Sequence, residues 1–204
     1  MSQAVPSMRQ RILDAAFTAF MRFGYGGAST SQIARLAQVS KRDLYALFGS
    51  KQAMLAGCVI ERATRMRHQL TLPAPSNRES LNETLIAFGT ATLIEISRPE
   101  VLATYRLAIL EAESAPDIAL SLDRHGREEN AQAINELMAE AVARGLLRGG
   151  EAEKMAALFT GILMGGGFMV RLLMRVAEPP TEAEARQRAE AAADGLFRAY
   201  GGSG

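Results

Sequence analysis

Residues 39–48 read "VSKRDLYALF" and carry two cations and a phenol, Lys41, Arg42 and Tyr45. A helix gathers these positions on one side. Guanidinium and ammonium groups pair with phosphates or guanine edges, and a phenol hydroxyl bonds a phosphate. This is chemistry for holding a polyanion. Chemistry for breaking bonds is not visible. The only histidines, His68 and His125, stand far apart and outside any HExxH spacing. No nucleophile elbow, P-loop or dinucleotide fingerprint occurs. A zinc site needs more Cys or His than this chain offers, and a di-metal bundle needs inward Glu-x-x-His pairs. The expectation is a protein that is not an enzyme and uses neither metal nor cofactor.

Something must position the three side chains. Ile12, Ala16, Phe20 and Phe23 recur at three- and four-residue steps, with Leu13 and Phe17 beside them, and predict a first helix over 7–24. Gly24 and the "GYGG" that follows stop it. "STSQ" at 29–32 fits a capping box and opens a short second helix with Ile33, Ala34 and Ala37 inward. Gln38 and Val39 make a tight turn. "SKRD" at 40–43 then fits a second capping box and starts a third helix at Lys41. On it Leu44, Leu47 and Phe48 share the inner face, and Lys41, Arg42 and Tyr45 the outer one. Two helices joined so closely pack at a steep angle, which is a helix-turn-helix. The bland alternative is a capped helix with a solvated basic face.

Charge favours the first reading. Residues 1–60 hold seven Lys/Arg and two Asp/Glu, a net +5, while the remaining residues hold sixteen and twenty, a net −4. A basic head on an acidic body suits a polyanionic partner. The single Cys58 excludes an internal disulfide and fits a reducing compartment, so a cytoplasmic location is expected. The longest uncharged run, "MAALFTGILMGGGFMV" at 155–170, falls short of the about 20 apolar residues that span a membrane, so no membrane partner is expected.

The stretches "RILDAAFTAFMRFGYGGAST", "SQIARLAQVSKRDLYALFGSK" and "QAML" resemble the N-terminal domain of the TetR/AcrR family of transcriptional repressors. In that family the third helix reads DNA. The resemblance implies groove contacts from Lys41, Arg42 and Tyr45. It implies phosphate contacts from Ser40 and Lys51, from Thr30 or Ser31 at the start of the second helix, and more weakly from Arg9. Asp43 reads as a cap. Three departures stand out: Gln38 where the family usually has Gly, Arg42-Asp43 for Gly-Thr, and Leu47 for an aromatic or His.

The rest reads as helices too, about nine in all, which makes the fold all-α. A fourth spans 51–70 and a fifth about 78–97. "SRPE" fits a capping box and opens a sixth, with Pro99 at its first position. A seventh runs over about 117–144 and an eighth over about 152–176. Thr181 and Glu184 box a ninth that ends near Tyr200. The segment "RPEVLATYRLAILEAESAPDIA" resembles the ligand-binding domain of an AefR-like subgroup, which implies a regulatory body with a cavity. Phe88, Thr92, Tyr105 and Ile109, with Met138, Phe159, Met164 and Phe168, are candidates for lining it, because flexible and aromatic side chains suit an apolar ligand. Each also reads as plain core.

The domain division by role is therefore 1–50 for helix-turn-helix DNA binding, 51–200 for effector binding and dimerisation, and 201–204 as a flexible tail. One short reading helix touches few base pairs, so a homodimer on two half-sites is expected. Its seam would use the helices at 152–176 and 181–200, as in the family, with Gly161 and Gly165 letting helices approach. Three consecutive glycines cost about 2–3 kcal/mol in a helix, so either close packing offsets them or the helix kinks. The expected function is a ligand-responsive regulator on double-stranded operator DNA, a repressor released by a small apolar or amphipathic effector. The rival is a helical small-molecule-binding or scaffold protein without sequence-specific DNA binding.

Overall fold

A computed structural model describes residues 6–67, 74–110, 112–113 and 116–201. Among them all regular structure is helical, and no described helix is long and apolar enough to cross a membrane. The chain packs as two units. One holds the described residues up to 65 and those within 103–126, and the other holds the described residues within 66–102 and 127–201. This division follows packing, whereas the one at residue 50 follows role. Residues 202–204 lie outside the described residues.

The first unit is built on α1 (Met8–Gly27), α2 (Thr30–Ala37), α3 (Lys41–Phe48) and the start of α4 (Lys51–Arg67). Ile12, Leu13, Ala16, Phe17 and Phe20 are buried, as the spacing predicts. Phe23 is not. It is exposed beneath the Arg22 guanidinium, 5.2 Å from the ring centroid, because Gly24 (φ 70°) breaks the helical register just after it. A last turn then runs on to Gly27. Ile33, Ala34 and Ala37 of α2 complete the core with Leu44, Met54, Leu55, Cys58 and Val59. Leu107, Ala108 and Leu122 join the same cluster. They come from α6 (Pro99–Leu110) and α7 (Pro116–Leu122).

The second unit centres on α5 (Arg78–Ile96), α8 (Glu129–Ala143), α9 (Ala152–Leu163) and α11 (Glu182–Tyr200). Ala185, Ala189, Ala192, Ala193 and Leu196 of α11 are fully buried. Their i, i+4, i+7, i+8, i+11 spacing is one helical stripe. Small side chains let α5 and α9 come close. A Cβ on Gly89 of α5 would stand 2.8 Å from the Ala189 Cβ and 3.2–3.3 Å from Leu163 and Phe159.

Three expected helices differ. The seventh is α7, a π-helical stretch Asp123–Glu128, then α8. The π stretch "DRHGRE" contains Gly126 and no apolar residue, so local sequence does little to hold α geometry there. The eighth is α9 and a separate α10 (Phe168–Leu173). Gly166 and Gly167 take φ of 69° and 68°, a conformation that ends the helix at Leu163. Gly161 and Gly165 therefore do not share one helix, and the expected close-approach motif is absent. Before α6, Ser97 ends α5 and its Oγ has no hydrogen-bond partner, so no box forms at "SRPE", although Pro99 does open the helix.

Gly89→Ala is expected to lose about 1–2 kcal/mol, because the fixed Ala189 methyl cannot swing aside and overpacking exceeds the helix-propensity gain. Gly195→Ala, where only the far end of Ile162 is near, should lose less. Denaturation midpoints of both variants check this. The Thr181 box holds the Glu184 carboxyl below its ordinary 4.5, first through the Thr181 backbone N–H and then through its hydroxyl. A depressed carboxylate pKa stabilises the fold above about pH 4.5 and loses that contribution as pH falls through the folded value. Glu184→Gln should flatten this acid limb in a stability–pH series.

Candidate nucleic-acid interface

The end of α2 decides where α3 points. Its final carbonyls need donors. The Gln38 N–H donates to Arg35 O at 3.2 Å and the Val39 N–H to Ala34 O at 3.0 Å. This pairing is a Schellman motif, and it forces Gln38 left-handed at φ 55°. Arg11 of α1 adds a donor from Nε to Ala37 O at 3.3 Å. Sequence reading missed Arg11, which carries no local signal for a partner 26 residues away.

At the start of α3, Ser40 Oγ accepts the Asp43 N–H at 3.1 Å and donates to Asp43 Oδ2 at 2.6 Å. Only half of the expected capping box forms. The short Asp43 takes the hydroxyl instead of reaching back to the backbone, and the one hydrogen of Ser40 Oγ is then used. Lys41 and Arg42 are exposed, with no hydrogen bond or ion pair among the described residues. Tyr45 is 46% exposed, and its hydroxyl lies 3.3 Å from Thr30 Oγ1. Thr30 opens α2 behind Ser29, whose capping box with Gln32 is complete. Two helix starts thus present Thr30, Ser31, Lys41, Arg42 and Tyr45 on one unit.

Two expected placements differ. Leu44 is buried and Phe48 half-buried, but Leu47 is 49% exposed. At about 100° per residue it stands roughly 80° off the Leu44–Phe48 line, at the edge of the core face. It adds an apolar patch beside Ala46 to the outer surface. Lys51 points its ammonium at backbone, donating to Tyr25 O at 2.6 Å and Ala28 O at 3.1 Å. Arg9 lies over the Phe48 ring, 5.6 Å from its centroid. Cys58 is buried, with Sγ 3.3 Å from Leu13 O.

The eight cavity candidates divide between the two units. Phe88, Met138 and Phe159 are buried in the second, with the Phe88 and Phe159 rings 6.3 Å apart. Met164 and Phe168 are half-buried there, and Phe168 lies 4.9 Å under the Arg188 guanidinium. Thr92, one turn after Phe88 on α5, has a buried Oγ1 without a hydrogen-bond partner. Tyr105 packs against the core of the first unit, and Ile109 is 61% exposed. His68 lies outside the described residues.

Residues 12–58 match the model of bacterial regulatory proteins of the tetR family, and residues 83–202 match the AefR-like transcriptional repressor C-terminal domain. Over 53 residues the chain is 45% identical to the HTH-type transcriptional regulator RutR of Escherichia coli K12. That match covers 26% of this chain and 25% of RutR, so the chain spans about a quarter of the length of the curated relatives it matches. A crystal structure described as a TetR-family transcriptional regulator from Mesorhizobium loti superposes with a TM-score of 0.82 at 22% identity, covering 96% of this chain and 97% of that one. The flavonoid-responsive regulator FrrA gives 0.80 at 24%, covering 97% and 98%. A TetR transcriptional regulator from Agrobacterium tumefaciens gives 0.75 at 27%, covering 96% of each.

Gln38→Gly should raise stability by about 0.5–1 kcal/mol, since glycine relieves a left-handed strain of about 1–2 kcal/mol but adds disorder to the unfolded chain. A midpoint lowered by the equivalent of about 0.5–1 kcal/mol, the unfolded-state cost of glycine alone, would mean that Gln38 carries no strain.

Proposed function

The chain belongs to the TetR family of bacterial transcriptional regulators, and from that membership we propose that it is a ligand-responsive repressor acting as a homodimer on a palindromic operator in the cytoplasm. The observation that carries the DNA-reading part is the exposed, unpaired Lys41–Arg42 pair on a capped helix, beside the Thr30–Tyr45 hydroxyl pair. Lys41 and Arg42 enter the major groove and read guanine edges or phosphates. Tyr45, Thr30 and Ser31 meet the adjoining phosphates, and Arg9 and Ser40 border this surface. By role, residues 1–50 bind DNA and 51–200 bind effector and dimerise.

The dimer seam we propose uses α9, α10 and α11. Gly161 is exposed with open space above its Cα, and Ile162, Val170 and Met174 are exposed apolar groups on the same stretch of chain. The effector is small and apolar or amphipathic. Phe88, Met138 and Phe159 supply apolar surface, and the unpartnered Thr92 hydroxyl would take a polar atom of the ligand. Effector and operator then weaken each other's binding by the same factor.

The test is selection of sheared genomic DNA on purified protein at about 150 mM salt, followed by sequencing. An imperfect palindrome is expected. Binding to it should fall with log salt by about 0.9 per phosphate neutralised. Arg42→Ala should lose specific binding while keeping the fold. No enrichment, with or without candidate effectors, and no salt slope would favour the scaffold reading instead.

A further inference from the structure

The Lys51 ammonium is held on three sides within the first unit. It donates to Tyr25 O at 2.6 Å and to Ala28 O at 3.1 Å. It also lies 4.3 Å from the centroid of the Tyr25 ring, a cation–π distance. That ring in turn packs against the core residue Phe20, with centroids 5.7 Å apart. Lys51 opens α4, whose start is capped by Ser50 Oγ accepting the Ala53 N–H at 3.0 Å. Its partners lie 23 and 26 residues earlier in the chain, in the turn over 25–28 that ends α1 after Gly24 and leads to α2.

What that turn carries gives the contact its meaning. Ala28 is buried, and the next residue is Ser29, the cap of α2. Thr30 follows, with its hydroxyl 3.3 Å from that of Tyr45 on α3. A displacement of Ala28 is therefore passed through two residues to the Thr30–Tyr45 pair. Gly24 precedes the turn in a conformation outside the helix, so helix geometry alone does not hold it. The carbonyls of Tyr25 and Ala28 accept from the lysine, and an ammonium has only three N–H groups to give. Two of them are committed.

We propose that Lys51 is a positioning residue: it straps the turn between α1 and α2 and so sets the Thr30–Tyr45 hydroxyl pair that meets the DNA backbone, instead of contacting DNA itself. This rests on the DNA-binding reading above. It reverses the expectation that Lys51 holds a phosphate.

The experiment has two arms on the full-length protein. In the first, without DNA, amide hydrogen exchange is followed in wild type, Lys51→Met and Lys51→Arg. Exchange at Ala28 and Gln32, whose N–H groups bond Gly24 O and Ser29 Oγ, should rise at least tenfold in Lys51→Met. It should return towards wild type in Lys51→Arg, which keeps a cation with several donors. Unchanged exchange would overturn the strap, whatever happens with DNA.

In the second arm, affinity for the genomic duplex recovered by selection is measured across salt for wild type, Lys51→Met, Thr30→Val and the double variant. Positioning predicts that Lys51→Met weakens binding about tenfold alone but less than threefold when Thr30 is already Val, with the salt slope nearly unchanged. A direct contact predicts the same penalty in both backgrounds and a slope lower by about 0.9, and would overturn the proposal. If no variant binds any duplex although exchange responds, the DNA role falls and Lys51 is a folding contact only.

Discussion

Gln38 turns left-handed because that lets the next two N–H groups reach carbonyls at the end of α2. Once Gln38 serves Arg35 O and Val39 serves Ala34 O, the path of the chain into Ser40 is determined. Val39 is drawn into the corner against the core, and α3 leaves at the angle that buries Leu44 and half-buries Phe48. Every exposed side chain of α3 inherits its direction from this turn. The strain of a left-handed glutamine is about 1–2 kcal/mol, comparable to the hydrogen bonds it allows. Arg11 reinforces the same point by donating to Ala37 O. The orientation of α3 is thus a backbone-satisfaction problem before it is a packing problem.

A second economy links the outer surface to the core. The hydroxyls of Thr30 and Tyr45 meet across two helices. Neither would be placed without the buried neighbours beneath them, Ile33 and Leu44. Where a polar group has a nearby partner, it is held. Ser40 is spent on Asp43, Lys51 on Tyr25 and Ala28, and Arg9 on Phe48. Lys41 and Arg42, like Arg35 one turn after Ser31 on α2, are exposed cations without such a partner among the described residues. A hydrogen-bonded frame that carries free cations is a preorganised arrangement, and preorganisation lowers the entropic cost of binding.

Local signals were legible in sequence and distant ones were not. The boxes of Ser29 with Gln32 and Thr181 with Glu184 involve residues three apart, so composition and spacing suffice. The same holds for the buried stripe of α1 from Ile12 to Phe20. Phe23 was misplaced because the stripe ends where Gly24 leaves the helix. Leu47 was misplaced because eight residues give too few turns to fix the centre of a face. Lys51 and Arg11 depend on carbonyls 23 to 26 residues away, and a basic residue carries no mark of such a partner. The cavity candidates rest on side-chain chemistry alone, and chemistry does not say which unit a side chain joins. That is why Tyr105 and Ile109 fall apart from Phe88 and Phe159.

The glycine run after α9 shows how a locally unfavourable sequence is held by a distant residue. Gly166 and Gly167 leave the helical region, and carbonyls near the end of α9 lose their usual donors. Arg188 of α11 supplies the replacements. Its Nε and Nη2 reach Leu163 O at 3.3 and 3.2 Å, and Nη2 reaches Gly165 O at 2.7 Å. The same guanidinium stacks on Phe168, the first residue of α10, and so braces both sides of the break. Arg188 can reach there because its neighbour Ala189 is small and buried, which lets α11 lie close to α9 and to Gly89 of α5. The alanine stripe and the broken helix are therefore one design. Close packing places the arginine, and the arginine makes the break tolerable.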